Sequence, residues 1–241
     1  MATIYEALTA ALAAEQPVAI ATIVGGAASV GAKLLIRPDG TTLGSLGDEP
    51  PARQIADDAL ALLARDERGV RTYPTPAGDV DVFFETYPPP PTMYIVGAVH
   101  IAIPLVTFAK TLGFRTVVVD ARGAFATSER FAHADQLIAA WPDEVLAGKL
   151  NSNSFVVLLT HDPKLDDPAL KVALPSPARY VGALGSPKTH AKRLARLRED
   201  GVPEQQLARL HAPIGLKLGA STPEEIAVSI IAEVVAVRHG F

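Results

Sequence analysis

The 241-residue chain contains no cysteine. Disulfides, thiolate metal ligands and cysteine nucleophiles are therefore excluded. Long apolar runs are also missing, since none approaches the roughly 18 residues of a membrane span. Positive charge is not in excess: a formal net charge of -4 offers none of the basic surface that nucleic acid demands. The opening residues, Met1-Ala2-Thr3-Ile4-Tyr5-Glu6, lack the basic start of a signal peptide. Together these absences predict no membrane span, no nucleic-acid partner and a cytoplasmic location. GxxxxGK(S/T), HExxH and GxSxG motifs are absent, which argues against a Walker-type NTPase, a zincin and an α/β-hydrolase. His100, His133, His190 and His239 show no metal-ligand spacing, so no metal site is expected.

What is present reads as globular. Apolar residues make up 49% and charged residues 20%, enough to build a core. Tyr87 is followed by four consecutive prolines, Pro88 to Pro91, which cannot donate to a sheet and favour a stiff extended segment. A domain boundary is placed there, giving residues 1–87 and 92–241.

The first part reads as a small α+β domain. Helical patterns cover Ile4–Ala14 and Ala52–Ala64, the second with Ile55, Ala59, Leu62 and Leu63 on one stripe. Strands are expected at Val18–Val24, Lys33–Ile36, Thr41–Ser45, Val70–Tyr73 and Val80–Glu85. The second part alternates strand and helix, the pattern of a Rossmann-like parallel sheet covered on both faces. Its strands are expected at Met93–Val96, Thr116–Val119, Gln136–Ala139, Phe155–Leu159 and Tyr180–Ala183. Helices are expected at Ile101–Leu112, Asp143–Lys149, Pro168–Leu174 and Thr189–Glu199. A final helix starts at Thr222-Pro223-Glu224-Glu225, where Thr222 and Glu225 can form a capping box.

In such a sheet, ligands bind at the carboxyl ends of strands. Four segments should converge there: Gly97-Ala98-Val99-His100, Asp120-Ala121-Arg122, Thr160-His161-Asp162 and Gly182-Ala183-Leu184-Gly185-Ser186. Gly97 opens a dinucleotide-type turn, but Val99 stands where a second glycine would let a pyrophosphate approach. Valine adds bulk there and disfavours a positive φ. The same stretch also fits a plain strand-to-helix turn. Asp120 lies about 20 residues on, where an acid meets a ribose, or it caps a later element. Arg122 faces a phosphate or pairs with Asp120. His161 suits acid–base work or anion binding at a strand end, whereas Asp162 equally suits a turn cap. Gly182, Gly185 and Ser186 lead into a helix whose N-terminus can hold phosphate. Lys188, Lys192, Arg193, Arg196 and Arg198 add positive charge there, although those beyond Lys188 read more ordinarily as a solvated basic face. His211, in an apolar loop, either enters the crevice or makes a structural bond. His161 and His211 are thus the catalytic candidates.

The runs IVGAVHIA, VVVDARGAFATSERF, VVLLTHDPKLDDPAL, YVGALGSPKTHAKRL and HAPIGLKLGASTPEEIAVSIIAE, in this order, resemble the xanthine dehydrogenase accessory factor (XdhC/CoxI) family. Two departures stand out. Val99 replaces the middle glycine of the family's Gly-Ala-Gly-His turn, and Gly44-Ser45-Leu46-Gly47-Asp48-Glu49 lacks the cysteine usual in that region. The resemblance implies an accessory factor that binds molybdenum cofactor (molybdopterin or its dinucleotide) and hands it to a molybdenum hydroxylase apoenzyme. It further implies a sulfur-donating partner, because this chain has no thiol, and a homodimer is compatible with it. A non-catalytic cofactor chaperone is expected. An NAD(P)-binding oxidoreductase using the same crevice, or an interaction module without cofactor, are the alternatives.

Overall fold

The computed structural model describes residues 3–47, 51–123 and 127–241. Asp48 and Glu49 of the Gly44–Glu49 segment, and Ala124 to Ala126 within the VVVDARGAFATSERF run, lie outside the described residues. The chain divides into two compact units, Met1–Pro89 and Pro90–Phe241.

The first unit runs α1 (Ile4–Ala13), β1 (Val18–Gly26), β2 (Lys33–Ile36), β3 (Thr42–Ser45), α2 (Ala52–Arg65), β4 (Gly69–Tyr73) and β5 (Val80–Tyr87). Its strands form an antiparallel sheet in the order β3-β2-β1-β5-β4. Strand side chains alternate between faces, and β2 makes the division plain. Leu34 and Ile36 pack with Ile55, Ala59 and Leu62 of α2. Leu35 packs instead with Ala11 of α1. One helix therefore covers each face. A capping box between Thr3 and Glu6 fixes where α1 begins.

The second unit runs β6 (Thr92–Val96), α3 (Ala102–Thr111), β7 (Arg115–Val119), β8 (Gln136–Ile138), α4 (Pro142–Leu146), β9 (Ser154–Leu158), α5 (Pro163–Ala173), β10 (Tyr180–Ala183), α6 (Pro187–Glu199), α7 (Glu204–Leu207), β11 (Leu210–His211) and α8 (Pro223–Arg238). Six strands form one sheet in the order β11-β10-β9-β6-β7-β8. Every neighbouring pair is parallel. Counted from β6, that is the Rossmann order 3-2-1-4-5-6. The central strands are buried along their whole length because both faces are covered. Met93, Ile95, Phe155 and Val157 pack with Leu105 and Val106 of α3 and Ile230 and Val234 of α8. Tyr94, Val96, Val156 and Leu158 pack on the other face with Ala169 and Leu170 of α5 and Leu197 of α6.

The mixed α/β architecture agrees with expectation, as does the Thr222–Glu225 capping box that starts α8. Two helix starts differ. Helix α5 begins at Pro163, not Pro168, because Asp162 caps it by accepting from the Lys164 N–H and Pro163 takes a first-turn place. Pro168 lies inside the helix and has no N–H to donate there. Helix α6 starts at Pro187 behind the Ser186 cap, two residues before the expected Thr189. Helix α4 is shorter than expected and ends at Leu146, with Gly148 at φ +70° just beyond it. Neither α7 nor β11 was expected; β11 supplies the sixth strand by pairing Leu210 with Val181 and His211 with Gly182. No described helix is long and apolar enough to cross a membrane.

Candidate functional site

The strand order reverses between β6 and β9, the point at which open α/β sheets form a ligand crevice outside their carboxyl ends. Gly97 leaves β6 with φ +108°. A Cβ on it would lie 2.6 Å from Thr160 Cγ2 and 3.3 Å from the Thr160 nitrogen, so both conformation and space require glycine. The Gly97 N–H donates to the Val119 carbonyl at 2.8 Å. Val99 behaves differently from expectation. Glu15 and Asp66 are the non-glycine residues of positive φ among those described, so the valine carries no left-handed strain. It is half-buried and packs against the α3–α8 side of the core. The turn has thus taken a form in which the second glycine's freedom is not used. His100 is exposed at its end.

Asp120 ends β7 and is fully buried. Its Oδ2 accepts from the Ala98 N–H at 2.9 Å and from Arg122 Nη2 at 2.8 Å. Oδ1 accepts from the Arg122 N–H and from Arg122 Nε, both at 2.9 Å. A carboxylate offers about four lone-pair positions, and all are taken. Burial pushes this carboxyl up, but the Arg122 side chain and the two backbone N–H groups outweigh it and hold it below the usual range. Of the two readings for Arg122, the geometry gives the pair with Asp120. Asp120 itself clamps the Gly97–Val99 turn to the end of β7.

Thr160 is buried and donates to Asp166 Oδ1. Asp166 Oδ2 accepts from Arg193 Nη2 at 3.0 Å, and the same nitrogen donates to the Leu184 carbonyl at 3.0 Å. A buried chain thus joins the ends of β9 and β10 through α5 and α6. Arg193 is 1% exposed, which corrects its assignment to a solvated basic face. Its Nε and Nη1 have no partner. Burial pushes the Asp166 carboxyl up despite Thr160 and Arg193. Arg196 is also engaged, holding Asp167 through Nε at 2.5 Å and Nη2 at 2.9 Å. Lys188, Lys192 and Arg198 are exposed, as a solvated face requires. His161 is exposed on the rim, and Asp162 is the α5 cap.

Gly182 lies buried within β10, where a Cβ would strike the Tyr180 hydroxyl at 2.5 Å and Ile214 at 2.7 Å. Its bareness serves packing, which withdraws it from the ligand-facing set. Gly185 and Ser186 do sit at the strand end: Ser186 Oγ accepts from the Thr189 N–H at 3.1 Å and caps α6. His211 is half-exposed and its ring lies 4.6 Å from that of Tyr180. Its Nδ1 is 3.4 Å from Glu233 Oε1. Glu233 also accepts from the Tyr180 hydroxyl and, at 2.8 Å, from the Gly215 N–H. Burial raises the Glu233 carboxyl, but His211, Tyr180 and Gly215 together hold it below its ordinary value. His211 therefore makes a structural contact while about a third of its side chain stays exposed.

Sequence reasoning misses the roles of the half-buried Glu233 and of the buried Asp166 and Arg193. For Arg193 a signal exists. His190, Arg193, Leu194 and Leu197 follow the i, i+3, i+4, i+7 spacing of a buried helix stripe. Among the described residues, no group of three or more His, Asp or Glu is placed to hold a metal.

Residues 93–234 match the family model described as the XdhC Rossmann domain, and residues 11–74 match that of the XdhC and CoxI family. A protein of Bacillus subtilis (strain 168), named as a probable xanthine dehydrogenase subunit, is 34% identical over 175 residues, covering 71% of this chain and 51% of that protein. The molybdenum cofactor insertion chaperone PaoD from Escherichia coli (strain K12) is 35% identical over 92 residues, covering 38% of this chain and 29% of PaoD. The chain thus spans about half of the first relative and under a third of the second. A solved structure described as a xanthine dehydrogenase from Bacillus halodurans superposes with a TM-score of 0.55 at 23% identity, covering 96% of this chain and 94% of that one. That likeness shows the fold.

Proposed function

The chain belongs to the XdhC and CoxI family, and from that premise we propose that it is an accessory factor for a molybdenum hydroxylase of the xanthine or CO dehydrogenase type. It binds molybdenum cofactor, as molybdopterin or its dinucleotide, assists its maturation and delivers it to the apoenzyme. The names of the two relatives support the client class and the insertion role. One observation carries the site: the Rossmann switch point between β6 and β9, flanked by the Gly97–His100 turn, the exposed His161 and the α6 cap. The donors there fit phosphate and pterin ring groups better than the metal. They are backbone N–H groups, a hydroxyl and a histidine, in a chain without thiols. When bound, the cofactor supplies the redox-active metal that the client uses. The chain's own residues bind and orient it, and a partner protein donates the sulfur.

Asp120 argues against an ordinary nicotinamide dinucleotide. In such folds the acid at this strand end accepts from the ribose, yet here its lone pairs are committed to Ala98 and Arg122. The same commitment removes Asp120 as acceptor for a pterin unless Arg122 lets go. Mass spectrometry of small molecules released from protein purified from a molybdenum-replete host tests the proposal. A pterin should be recovered; recovery of NAD(P) alone, with NADH fluorescence enhanced by the pure protein, overturns it.

A further inference from the structure

We propose that Gly185, Ser186 and Arg193 form a subsite for a tetrahedral oxyanion at the N-terminus of α6, taking a phosphate group or molybdate. Helix α6 has thirteen residues, and its N-terminus carries the partial positive charge that attracts anions. A helix start is not enough alone. The second observation lies under it. Arg193 is 1% exposed and uses only Nη2, so Nε and Nη1 are buried donors without a partner. Native structures satisfy nearly all such groups, and an unsatisfied one on a buried cation calls for a ligand or a water.

Gly185 places these donors within reach. Its backbone is at φ +151°, and a Cβ there would lie 3.7 Å from Arg193 Nη1 and 3.2 Å from the Thr189 side chain. Arg193 Nη1 therefore lies against the Gly185 turn. A small rotation of that turn, which glycine allows, exposes Nη1 beside the Gly185 and Ser186 N–H groups. Neither of those N–H groups donates to a described residue. Lys188 adds an exposed cation on the same turn.

The local acids leave room for an anion. Asp167 is neutralised by Arg196, and Asp162 is spent capping α5. Asp166 takes Nη2 of Arg193 and leaves Nε and Nη1, of which Nη1 is the one near Gly185. A charge-assisted hydrogen bond from Arg193 Nη1, completed by backbone N–H groups, favours phosphate or molybdate over a neutral ligand. The inference rests on the accessory-factor reading only for the identity of the whole ligand that carries the oxyanion.

Calorimetric titration of the full chain with inorganic phosphate, and separately with molybdate, tests it. Wild-type protein should bind one or both, the tighter anion identifying the source. Gly185→Ala should weaken binding by about tenfold through the lost approach, and Arg193→Met by about tenfold or more. Asp166→Asn should strengthen it, because the guanidinium's charge is then unshared. If Arg193→Met fails to fold by circular dichroism, the other two variants decide. The subsite is overturned if neither anion binds the wild type, or if folded Gly185→Ala and Arg193→Met bind as the wild type does. A pterin recovered from protein that binds neither anion would sink this subsite and leave the accessory role standing. Anion binding lost in the variants, with no pterin recovered, would do the reverse.

Discussion

Gly97 and Thr160 meet where the sheet changes direction: the missing side chain of the first is the space that the Thr160 methyl occupies, 2.6 Å from where a Cβ would stand. Thr160 in turn donates to Asp166, which holds Arg193. The turn after β6 is therefore in contact with a buried polar chain that reaches α6. Crevice shape and core packing depend on the same few atoms.

Gly97→Ala should destabilise the second unit by about 2–4 kcal/mol, summing the cost of positive φ with overpacking. Thr160→Ser removes the methyl but keeps the hydroxyl for Asp166. The double variant should therefore recover part of the loss, a non-additivity expected of residues in contact. Urea unfolding of the four proteins measures it. Strict additivity would show that the clash is not the cause.

The parallel sheet is legible because its strands are continuous apolar runs, such as Phe155-Val156-Val157-Leu158, separated by helical stretches. The α8 start is legible because a capping box is local chemistry. The α5 start is easily misplaced because two prolines, Pro163 and Pro168, both carry the first-turn signal, and only the Asp162 cap distinguishes them. The cost of Val99 is smaller than the sequence implies, since sequence reveals a missing glycine but not whether the turn still needs its positive φ. Arg193 reads as exposed by its charge, although its spacing with Leu197 puts it on the inward stripe. Tertiary pairing with Asp166, far off in sequence, is what permits that burial. The Asp120 clamp likewise depends on a backbone N–H from another loop.

Asp120→Ala should cost about 2–3 kcal/mol in stability, below the about 3–5 of a fully buried pair because Arg122 keeps some solvent. Asp120→Asn, which retains an acceptor for the Ala98 N–H, should lose less. Denaturant unfolding ranks the two. Should Asp120→Ala unfold like the wild type yet lose its pterin, the clamp would be the wrong role and ligand contact the right one.

Asp135 gives a pH signature. The Lys110 ammonium, with the Thr116 N–H at 2.8 Å and hydroxyl at 3.0 Å, lowers its carboxyl from 3.8 to about 2. Because the folded value is depressed, the stabilisation is complete above the unfolded value of 3.8 and is lost as pH falls through about 2. Carboxyl NMR titration should find the low value, and Asp135→Asn should flatten the stability slope in that window. Since Lys110 and Asp135 are both part-exposed, added salt should shrink the effect. A titration midpoint near 4 at low salt would refute the assignment.

His161 separates delivery from catalysis, and its position makes the test clean. It is exposed at the carboxyl end of β9 and bonds to no described residue, so His161→Ala should change stability by less than about 0.5 kcal/mol. Any functional loss is then a loss at the crevice and not of the fold. In a cofactor carrier, the variant should lower activation of the client molybdenum enzyme in proportion to its lost pterin affinity, with the client protein still present. In a dehydrogenase, loss of a general acid or base should cut turnover by about 10²–10⁴ while cofactor binding stays nearly constant. His211→Ala is the matched control, two strands away on β11. Because His211 faces Glu233 and stacks near Tyr180, its removal should disturb stability as well as any function. Nicotinamide-dependent turnover by the pure protein, abolished by His161→Ala, would end the carrier hypothesis. Absence of turnover, with a cofactor-deficient client in the His161→Ala strain, is the outcome the crevice geometry predicts.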